Sequence, residues 1–135
     1  AMASKGIAVS EMTGCAKTLL KKKTPFVCGR KNLGEIVGTG GDGKGSFNIS
    51  SMSAIVAASC GLSVAKHGNR AVSSKSGAAD FYENLGINIM ASPEKTASLV
   101  DKTGFGFLMA PVYHAAMRFA SKSGGGKLRS FRSLF

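Results

Sequence analysis

Residues 38–51 read Gly-Thr-Gly-Gly-Asp-Gly-Lys-Gly-Ser-Phe-Asn-Ile-Ser-Ser, and residues 66–77 read Lys-His-Gly-Asn-Arg-Ala-Val-Ser-Ser-Lys-Ser-Gly. Between them lies a run of small apolar residues that predicts a helix and then a buried strand. Two polar loops joined by one such crossover indicate a parallel α/β sheet. Five glycines within residues 38–45 exceed what a tight turn needs, so backbone amides there are expected to approach an anion closely.

Two familiar phosphate-binding patterns almost fit the first loop. Its glycines satisfy GxGxxG, but a dinucleotide-binding fold needs an acidic residue about 20 positions later, where residues 57–59 read Ala-Ala-Ser. Residues 38–44 satisfy GxxxxGK, yet Gly45 follows where a P-loop carries Ser or Thr. Both patterns are therefore rejected, and the loop is interpreted as an anion cradle followed by a helix capped by Ser50 or Ser51.

The second loop supplies the charge and the hydrogen-bond donors that the first one lacks. Lys66 and Arg70 are cationic, His67 and Asn69 form directional hydrogen bonds, and three serines follow. With the first loop, these groups would hold a diphosphate from two sides. The position of His67 between a lysine and an Asn-bearing turn favours a functional role, whereas for His114 a structural and a functional role remain equally open.

The rest of the chain predicts alternating helices and strands. Ser10 is expected to cap an amphipathic helix over 10–22, and a connector follows over 25–32. The further expected elements are a strand over 34–37, a helix over 54–60 ended by Gly61, a strand over 62–65, a helix over 76–85, a strand over 87–90, a helix from Ser92-Pro93-Glu94 to Lys102 and a strand over 105–109. Both loops then follow the carboxyl ends of strands, where parallel sheets place their sites.

Length and composition are those of one ordinary globular domain. The chain has 135 residues, of which 44% are hydrophobic and 19% charged, so disorder is not expected. No apolar run approaches the roughly 20 residues of a membrane-spanning helix, and the first residues lack the apolar stretch of a signal peptide. The three cysteines form no CxxC pair, which predicts free thiols and a cytoplasmic location.

The net charge of +11 is concentrated at the two ends of the chain. Residues 35–102 hold six basic and six acidic residues, whereas the flanks hold twelve basic residues and one acidic residue. The run over 21–23 is interpreted as a solvated helix end, with a phosphate-binding patch as the alternative. No aromatic residues are interleaved with the basic ones to stack on bases, so the charge alone does not indicate nucleic-acid binding.

Four stretches, in this order and spacing, resemble the anthranilate phosphoribosyltransferase family of tryptophan biosynthesis: 38–42, 48–51, 66–77 and 110–117. The resemblance runs from about residue 5 to 119; pyrimidine nucleoside phosphorylases resemble the chain in architecture but not in these motifs. It implies a nucleoside phosphorylase/phosphoribosyltransferase-like parallel sheet with flanking helices and a homodimer. It divides the chain into a remnant of a helical dimerisation domain (1–24), a connector (25–33) and the first half of the donor-binding α/β domain (34–135), in an apparently truncated protein.

The resemblance also implies an activity, which is transfer of the phosphoribosyl group of phosphoribosyl pyrophosphate to the amine of anthranilate, with Mg2+. Anthranilate would lie beside Gly38, His67 and Asn69, and Ser50 would bind a magnesium ion. No nucleophile or acid–base pair is evident, so catalysis would come from neutralising the diphosphate and positioning the amine. The donor would contact residues of both loops: Gly38, Gly41, Asp42, Ser46, Asn48, Ile49, Ser50, Ser51, Lys66, His67, Gly68, Asn69, Arg70, Ala71, Val72, Ser73 and Ser74.

Three features depart from the family pattern. Ala78 stands where the family commonly has a serine, and residues 121–126 lack the arginine that contacts the anthranilate carboxylate. The acidic pair that binds magnesium in the family would fall beyond Phe135. The alternatives are therefore an inactive phosphoribosyltransferase-like fragment or a homologue that binds nucleic acid through its basic flanks.

Overall fold

The computed structural model describes residues 6, 8–38, 47–71 and 76–116. Within these ranges, three strands form one parallel sheet in the order β1-β2-β3, and β2 is the central strand. Helices flank this sheet, which confirms the predicted α/β class. In chain order the elements are α1 (Val9–Lys21), β1 (Leu33–Glu35), α2 (Ile49–Ser59), β2 (Ser63–Gly68), α3 (Ala78–Asn84), α4 (Pro93–Thr103), β3 (Phe105–Met109) and the single turn α5 (Ala110–Tyr113).

Strand β3 and helix α4 coincide closely with their predicted bounds because their ends carry strong local signals. The Ser92 hydroxyl accepts a hydrogen bond from the Lys95 amide at 3.4 Å, and Pro93 occupies the first turn. The helix ends at Gly104, whose φ of +77° suits a residue without a Cβ. A Cβ at Gly106 would lie 2.5 Å from Val100 Cγ2, so this glycine lets α4 pack closely on β3.

The largest core cluster is centred on Tyr82 of α3. Its ring is fully buried, with ring centroids 4.9 Å from Phe107 and 5.3 Å from Phe105. Its hydroxyl donates a hydrogen bond to the Ser51 carbonyl at 3.0 Å, and burial raises the pKa of Tyr82 to about 12. This tyrosine therefore fixes α3 and the start of α2 against the same face of the sheet.

The predicted strand over 87–90 is wrong, because this segment forms a turn. The Ile87 amide donates to the Tyr82 carbonyl at 3.0 Å, continuing the end of α3. The Asn88 side chain then accepts a hydrogen bond from the Met90 amide at 3.0 Å, a local bond that competes with an extended chain. Ile89 is buried in the core and Ile87 packs partly buried against it, so this short apolar run, interrupted by an asparagine, contributes core contacts but no strand.

Several predicted boundaries shift. Helix α1 begins at Val9, so Ser10 is not its cap; instead the Glu11 carboxylate accepts the Ala8 amide at 3.1 Å. Asn48, and neither Ser50 nor Ser51, precedes the first residue of α2. The remaining shifts move β1 to 33–35, α2 to 49–59 and α3 to 78–84. Strand β2 extends over 63–68, because its pairing with β3 continues as far as Gly68 and Met109.

The connector after α1 is attached to residues late in the chain, in α4 and α5. The Thr24 amide donates to the Tyr113 carbonyl at 2.8 Å, and the Gly29 amide donates to Asp101 Oδ1 at 2.9 Å. Cys15, Cys28 and Cys60 are free, as predicted. Within the part of the chain that the structure describes, no helix is both long and apolar enough to cross a bilayer.

Candidate functional site

The two predicted loops meet at a side chain that links their ends. Asn48 follows the first loop, and Gly77 closes the second. The Asn48 amide donates hydrogen bonds to the Ser76 hydroxyl at 3.2 Å and to the Gly77 carbonyl at 3.3 Å. The start of α2 therefore lies against the start of α3, at the edge of the sheet formed by the carboxyl ends of the strands.

His67 is held in place by a carboxylate of the neighbouring strand. Its Nδ1 lies 2.5 Å from Oε1 of Glu35, which β1 brings alongside because Glu35 pairs with Ala65 in the parallel register. A carboxylate at Nδ1 favours the neutral tautomer that carries its proton there, which leaves Nε2 as an acceptor. Nε2 is buried and has no hydrogen-bond partner among the described residues. This atom is therefore available to a ligand.

Aromatic rings surround the same imidazole. The His67 ring centroid lies 5.7 Å from that of Tyr113 and 5.4 Å from that of His114. Burial, followed by the proximity of His67 and Lys23, lowers the pKa of His114 below its usual 6.5. The question left open for His114 is thus partly answered, since this residue lies beside the predicted site and favours its neutral form.

Lys66 is a buried cation in the central strand. Its side chain is only 2% exposed, and Nζ donates to the His67 carbonyl at 2.5 Å. Burial lowers the pKa of Lys66, and the nearby Glu35 carboxylate partly opposes that effect. A lysine held in the interior with little charge compensation is expected to gain from a bound anion.

The first turn of α2 presents two hydroxyl groups. A Cβ at Gly38 would lie 3.3 Å from Ser50 Oγ, so the glycine allows the loop backbone to approach this serine. The hydroxyl of Ser51 is buried and has no partner among the residues described. These two hydroxyls at the start of a helix form an arrangement that suits a phosphate.

Magnesium finds few protein ligands in this arrangement. No group of three or more His, Cys, Asp or Glu residues that could hold a metal occurs within the described ranges. The Ser50 hydroxyl nevertheless fits Mg2+, which usually takes one or two protein ligands and completes its shell with phosphate oxygens and water. Ser50 would thus hold a magnesium ion only together with a diphosphate.

The side chain of Arg70 is bound to acidic side chains of α3, unlike a side chain that is free to bind a phosphate. Its guanidinium donates to Glu83 through Nη1 at 2.7 Å and through Nη2 at 2.9 Å, and Nη1 also lies 3.0 Å from Asp80 Oδ1. The hydrogen bonds to Glu83 and then to Asp80 raise the pKa of Arg70. Its charge is therefore already matched within the chain. The adjacent Asn69 uses its side-chain oxygen to accept the Arg70 amide at 2.8 Å, which leaves its NH2 group for a ligand.

The remaining predicted donor contacts divide into described and undescribed residues. Gly68 is tightly enclosed, since a Cβ there would lie 2.8 Å from both Ala78 Cβ and Phe107 Cε2. Ile49 is 53% exposed at the start of α2. The Ala71 amide donates to Asp80 Oδ2 at 2.9 Å. Outside the described residues lie Gly41, Asp42, Ser46, Val72, Ser73 and Ser74.

Glu35, Asp80 and Tyr113 were not among the predicted site residues. Glu35 ends β1 just before the first loop, so the parallel pairing of strands would have brought it towards His67. Asp80 is the third residue of α3 and accepts the amide that precedes the helix, a role typical of an acid at that position. Tyr113 lies beside His114 in the sequence, and only the tertiary fold places its ring against His67.

Comparisons with known proteins identify the family of the chain. The family model described as "Glycosyl transferase family, a/b domain" matches residues 30–124. Relatives named anthranilate phosphoribosyltransferase include those of Desulfatibacillum aliphaticivorans, 48% identical over 120 residues, and Vibrio vulnificus strain YJ016, 50% identical over 120 residues. Each alignment covers 89% of this chain and 36% of the relative, so the chain spans little more than a third of the relatives' length.

Solved structures give the same result. Anthranilate phosphoribosyltransferase from Thermus thermophilus matches with a TM-score of 0.78 and 40% identity, covering 97% of this chain and 41% of that one. The enzyme from Saccharomyces cerevisiae in complex with PRPP and Mg matches with a TM-score of 0.72 and 35% identity, covering 90% of this chain and 33% of that one. The predicted resemblance is thus confirmed, and because the family match covers more than half of its length, this chain belongs to the glycosyl transferase family, within its a/b domain.

Proposed function

We propose that this chain forms the donor side of an anthranilate phosphoribosyltransferase site. It would bind phosphoribosyl pyrophosphate with Mg2+ and present its ribose carbon to the amine of anthranilate, releasing pyrophosphate. The observation that carries the proposal is the double hydrogen bond of Asn48 to Ser76 and Gly77, because it brings two phosphate-type loops to one edge of the sheet.

The diphosphate is the part of the donor that these residues suit best. Lys66 offers a buried positive charge, and the first turn of α2 offers the hydroxyls of Ser50 and Ser51. Neutralising the departing diphosphate lowers the barrier to breaking its bond to ribose. Magnesium, held by Ser50 and the diphosphate, supplies further charge neutralisation when bound.

The aromatic acceptor is expected on the other side of His67. The rings of Tyr113 and His114 approach this imidazole, and its unpartnered Nε2 can accept a hydrogen bond from an amine. Gly38, His67 and Asn69 are the residues proposed to lie beside anthranilate. Holding the amine against the ribose carbon would accelerate the reaction through proximity without a covalent intermediate.

The broader biology is proposed on the same basis. We infer that the protein is cytoplasmic and that residues 1–24 belong to a helical dimerisation domain. Residues 25–33 would connect that domain to residues 34–135, which would form the first half of the donor-binding domain. Helix α1 has no buried residue, which is compatible with a homodimer that covers it. The relatives and structures named above do not favour the nucleic-acid-binding alternative.

The decisive experiment measures anthranilate-dependent release of pyrophosphate and, separately, binding of phosphoribosyl pyrophosphate with Mg2+ by calorimetry. Lys66→Ala and Asn69→Ala are compared with Lys95→Ala, which removes the same charge as Lys66→Ala from the exposed surface of α4. Each site variant should weaken donor binding at least about tenfold, since each removes a hydrogen bond to a charged group. The Lys95→Ala variant should bind like the unaltered chain.

The two measurements separate activity from binding. Donor binding without pyrophosphate release would show that the chain is a half-site and that the transfer step needs residues outside it. Equal binding by the unaltered chain and both site variants would overturn the assigned donor site.

A further inference from the structure

The Arg70 side chain belongs to a compact cluster of three charges. It donates to Asp80 and Glu83, both on α3, so one positive and two negative charges lie together. The cluster as a whole is negative and offers no net attraction to a phosphate. Arg70 is therefore poorly suited to touch the donor, although the sequence places it in the phosphate loop.

The carboxylate of Asp80 also holds the two ends of that loop. Oδ2 accepts the amide of Ala71 at 2.9 Å and the amide of Gly77 at 2.8 Å, while Oδ1 faces Arg70. The backbone hydrogen bonds, from Ala71 first and then Gly77, lower the pKa of Asp80. One side chain thus joins positions six residues apart, which the chain alone would not keep together.

Gly77 lets the two ends come into direct contact. A Cβ at this position would lie 2.3 Å from the Ala71 nitrogen and 2.7 Å from the Asn69 carbonyl oxygen. The Asn69 carbonyl itself accepts the Ala79 amide at 3.1 Å. The turn over 69–71 is therefore fixed against the start of α3 by this backbone hydrogen bond and by the close approach of Gly77.

We propose that Asp80 is a positioning residue of the donor site and that Arg70 acts on the donor only through it. By fixing Ala71 and Gly77, Asp80 orients the turn in which Asn69 bonds its oxygen to the Arg70 amide and keeps its NH2 group for the anionic ligand. The identity of that ligand, phosphoribosyl pyrophosphate, rests on the proposed function.

The test uses the full chain labelled with 15N and two independent readouts. Amide hydrogen exchange at Ala71 and Gly77 reports on the clamp itself, and calorimetry with phosphoribosyl pyrophosphate and Mg2+ reports on the donor. Asp80→Ala should accelerate both amides and weaken donor binding, each at least about tenfold, because both acceptor bonds are lost.

Matched variants separate the acceptor role from the charge. Asp80→Asn retains an oxygen that can accept both amides and should stay within about threefold of the unaltered chain in exchange and in binding. Glu83→Gln also removes one negative charge beside Arg70 but accepts neither amide, so it should change neither readout. Arg70→Gln should leave the salt dependence of donor binding unchanged, whereas a direct phosphate ligand would reduce it.

Different results would overturn the positioning role of Asp80 and the proposed function of the chain. Unaltered amide exchange in Asp80→Ala, or accelerated exchange with full donor affinity, would overturn the positioning role. Donor binding absent in the unaltered chain would overturn the proposed function, while amide exchange still decides whether Asp80 clamps the loop. Should Asp80→Ala fail to fold, Asp80→Ser removes the same two carboxylate oxygens and serves in its place.

Discussion

Helix α1 and strand β2 reverse the usual relation between hydropathy and burial. Helix α1 carries apolar residues such as Met12 and Leu20 at helical spacing, yet none of its 13 residues is buried. Strand β2 contains Lys66 and His67, yet its first four residues are buried. The cause is position, because β2 is the central strand and α1 packs on no strand extensively. A buried cation in the central strand is therefore stronger evidence for a ligand-binding site than exposed apolar residues on a helix are.

Substitution of Gly77, which precedes α3 and packs on the turn after β2, should have the largest effect. In Gly77→Ala the new Cβ would lie 2.3 Å from the Ala71 nitrogen, and the backbone must move because no flexible side chain can give way. We expect the free energy of unfolding to fall by about 3 kcal/mol, the upper range for overpacking. Urea denaturation followed by circular dichroism measures this change.

Gly34→Ala is the matched control for this prediction. Its Cβ would make ordinary contact, 3.6 Å from the Ser63 carbonyl, so a change below about 1 kcal/mol is expected. Similar effects in the two variants would mean that Gly77 is no more tightly packed against the turn after β2 than Gly34 is within β1.

Lys66→Met should give a smaller effect of opposite sign on stability. Methionine fills a similar volume without a buried charge, so the free energy of unfolding at neutral pH is expected to rise by about 1 kcal/mol while donor binding is lost. The pKa of Lys66 is lowered in the folded state, so the unfolded chain binds more protons between that lowered value and 10.5. Stability of the unaltered chain should therefore rise with pH in this window, relative to the variant.

The contribution of Lys66 is isolated by subtracting the pH dependence of stability of Lys66→Met from that of the unaltered chain. Lys95→Met removes an exposed lysine and should reproduce the profile of the unaltered chain in urea denaturation. If Lys66→Met instead lowers stability and leaves the pH profile unchanged, the burial of this lysine carries no electrostatic penalty.

Glu35→Ala tests the link between β1 and the imidazole of β2. The chain has two histidines, so long-range 1H–15N spectra can assign the protonated nitrogen of each ring. His67 should carry its proton on Nδ1 in the unaltered chain and shift several-fold towards the Nε2 tautomer in the variant. Since Glu35 is more than half exposed, we expect a loss of stability below about 1 kcal/mol.

The control for the tautomer experiment is Glu11→Gln, which removes a carboxylate on α1 far along the chain from β2. It should leave both imidazole spectra unchanged. A His67 tautomer that is also unchanged in Glu35→Ala would show that the carboxylate does not orient this ring.

The sequence was most informative where local chemistry decides the structure. Ser92-Pro93 and Gly104 mark both ends of α4, and the apolar run of β3 was predicted with its observed bounds. The segment over 87–90 was mispredicted because a single Asn88 bond turns a short apolar run. The end of β2 was placed too early, since polar Lys66 and His67 resemble a loop until pairing with β3 is known.

For the candidate site, the sequence indicated the ligand class better than the roles of individual residues. Glycine content and charge predicted an anion, and the related structure from Saccharomyces cerevisiae is in complex with PRPP and Mg. The pairing of Arg70 with Asp80 and Glu83 depends on the distance between a loop and a helix that composition does not encode. The same limit applies to Glu35, whose partner lies 32 positions away and is fixed only by strand register.

The smallest expected effect concerns a glycine in α1. Its substitution should raise the free energy of unfolding, whereas Gly77→Ala should lower it. Gly14 lies inside this helix and a Cβ there would meet nothing within 4 Å, so Gly14→Ala adds helix propensity without a clash. Stability should rise by about 0.5–1 kcal/mol if α1 unfolds together with the sheet. Because α1 has no buried residue, it could instead unfold separately, and the gain would then appear only as slower amide exchange within α1. Urea denaturation and amide exchange on one sample distinguish these cases, and a loss of stability would mean that another surface packs against Gly14.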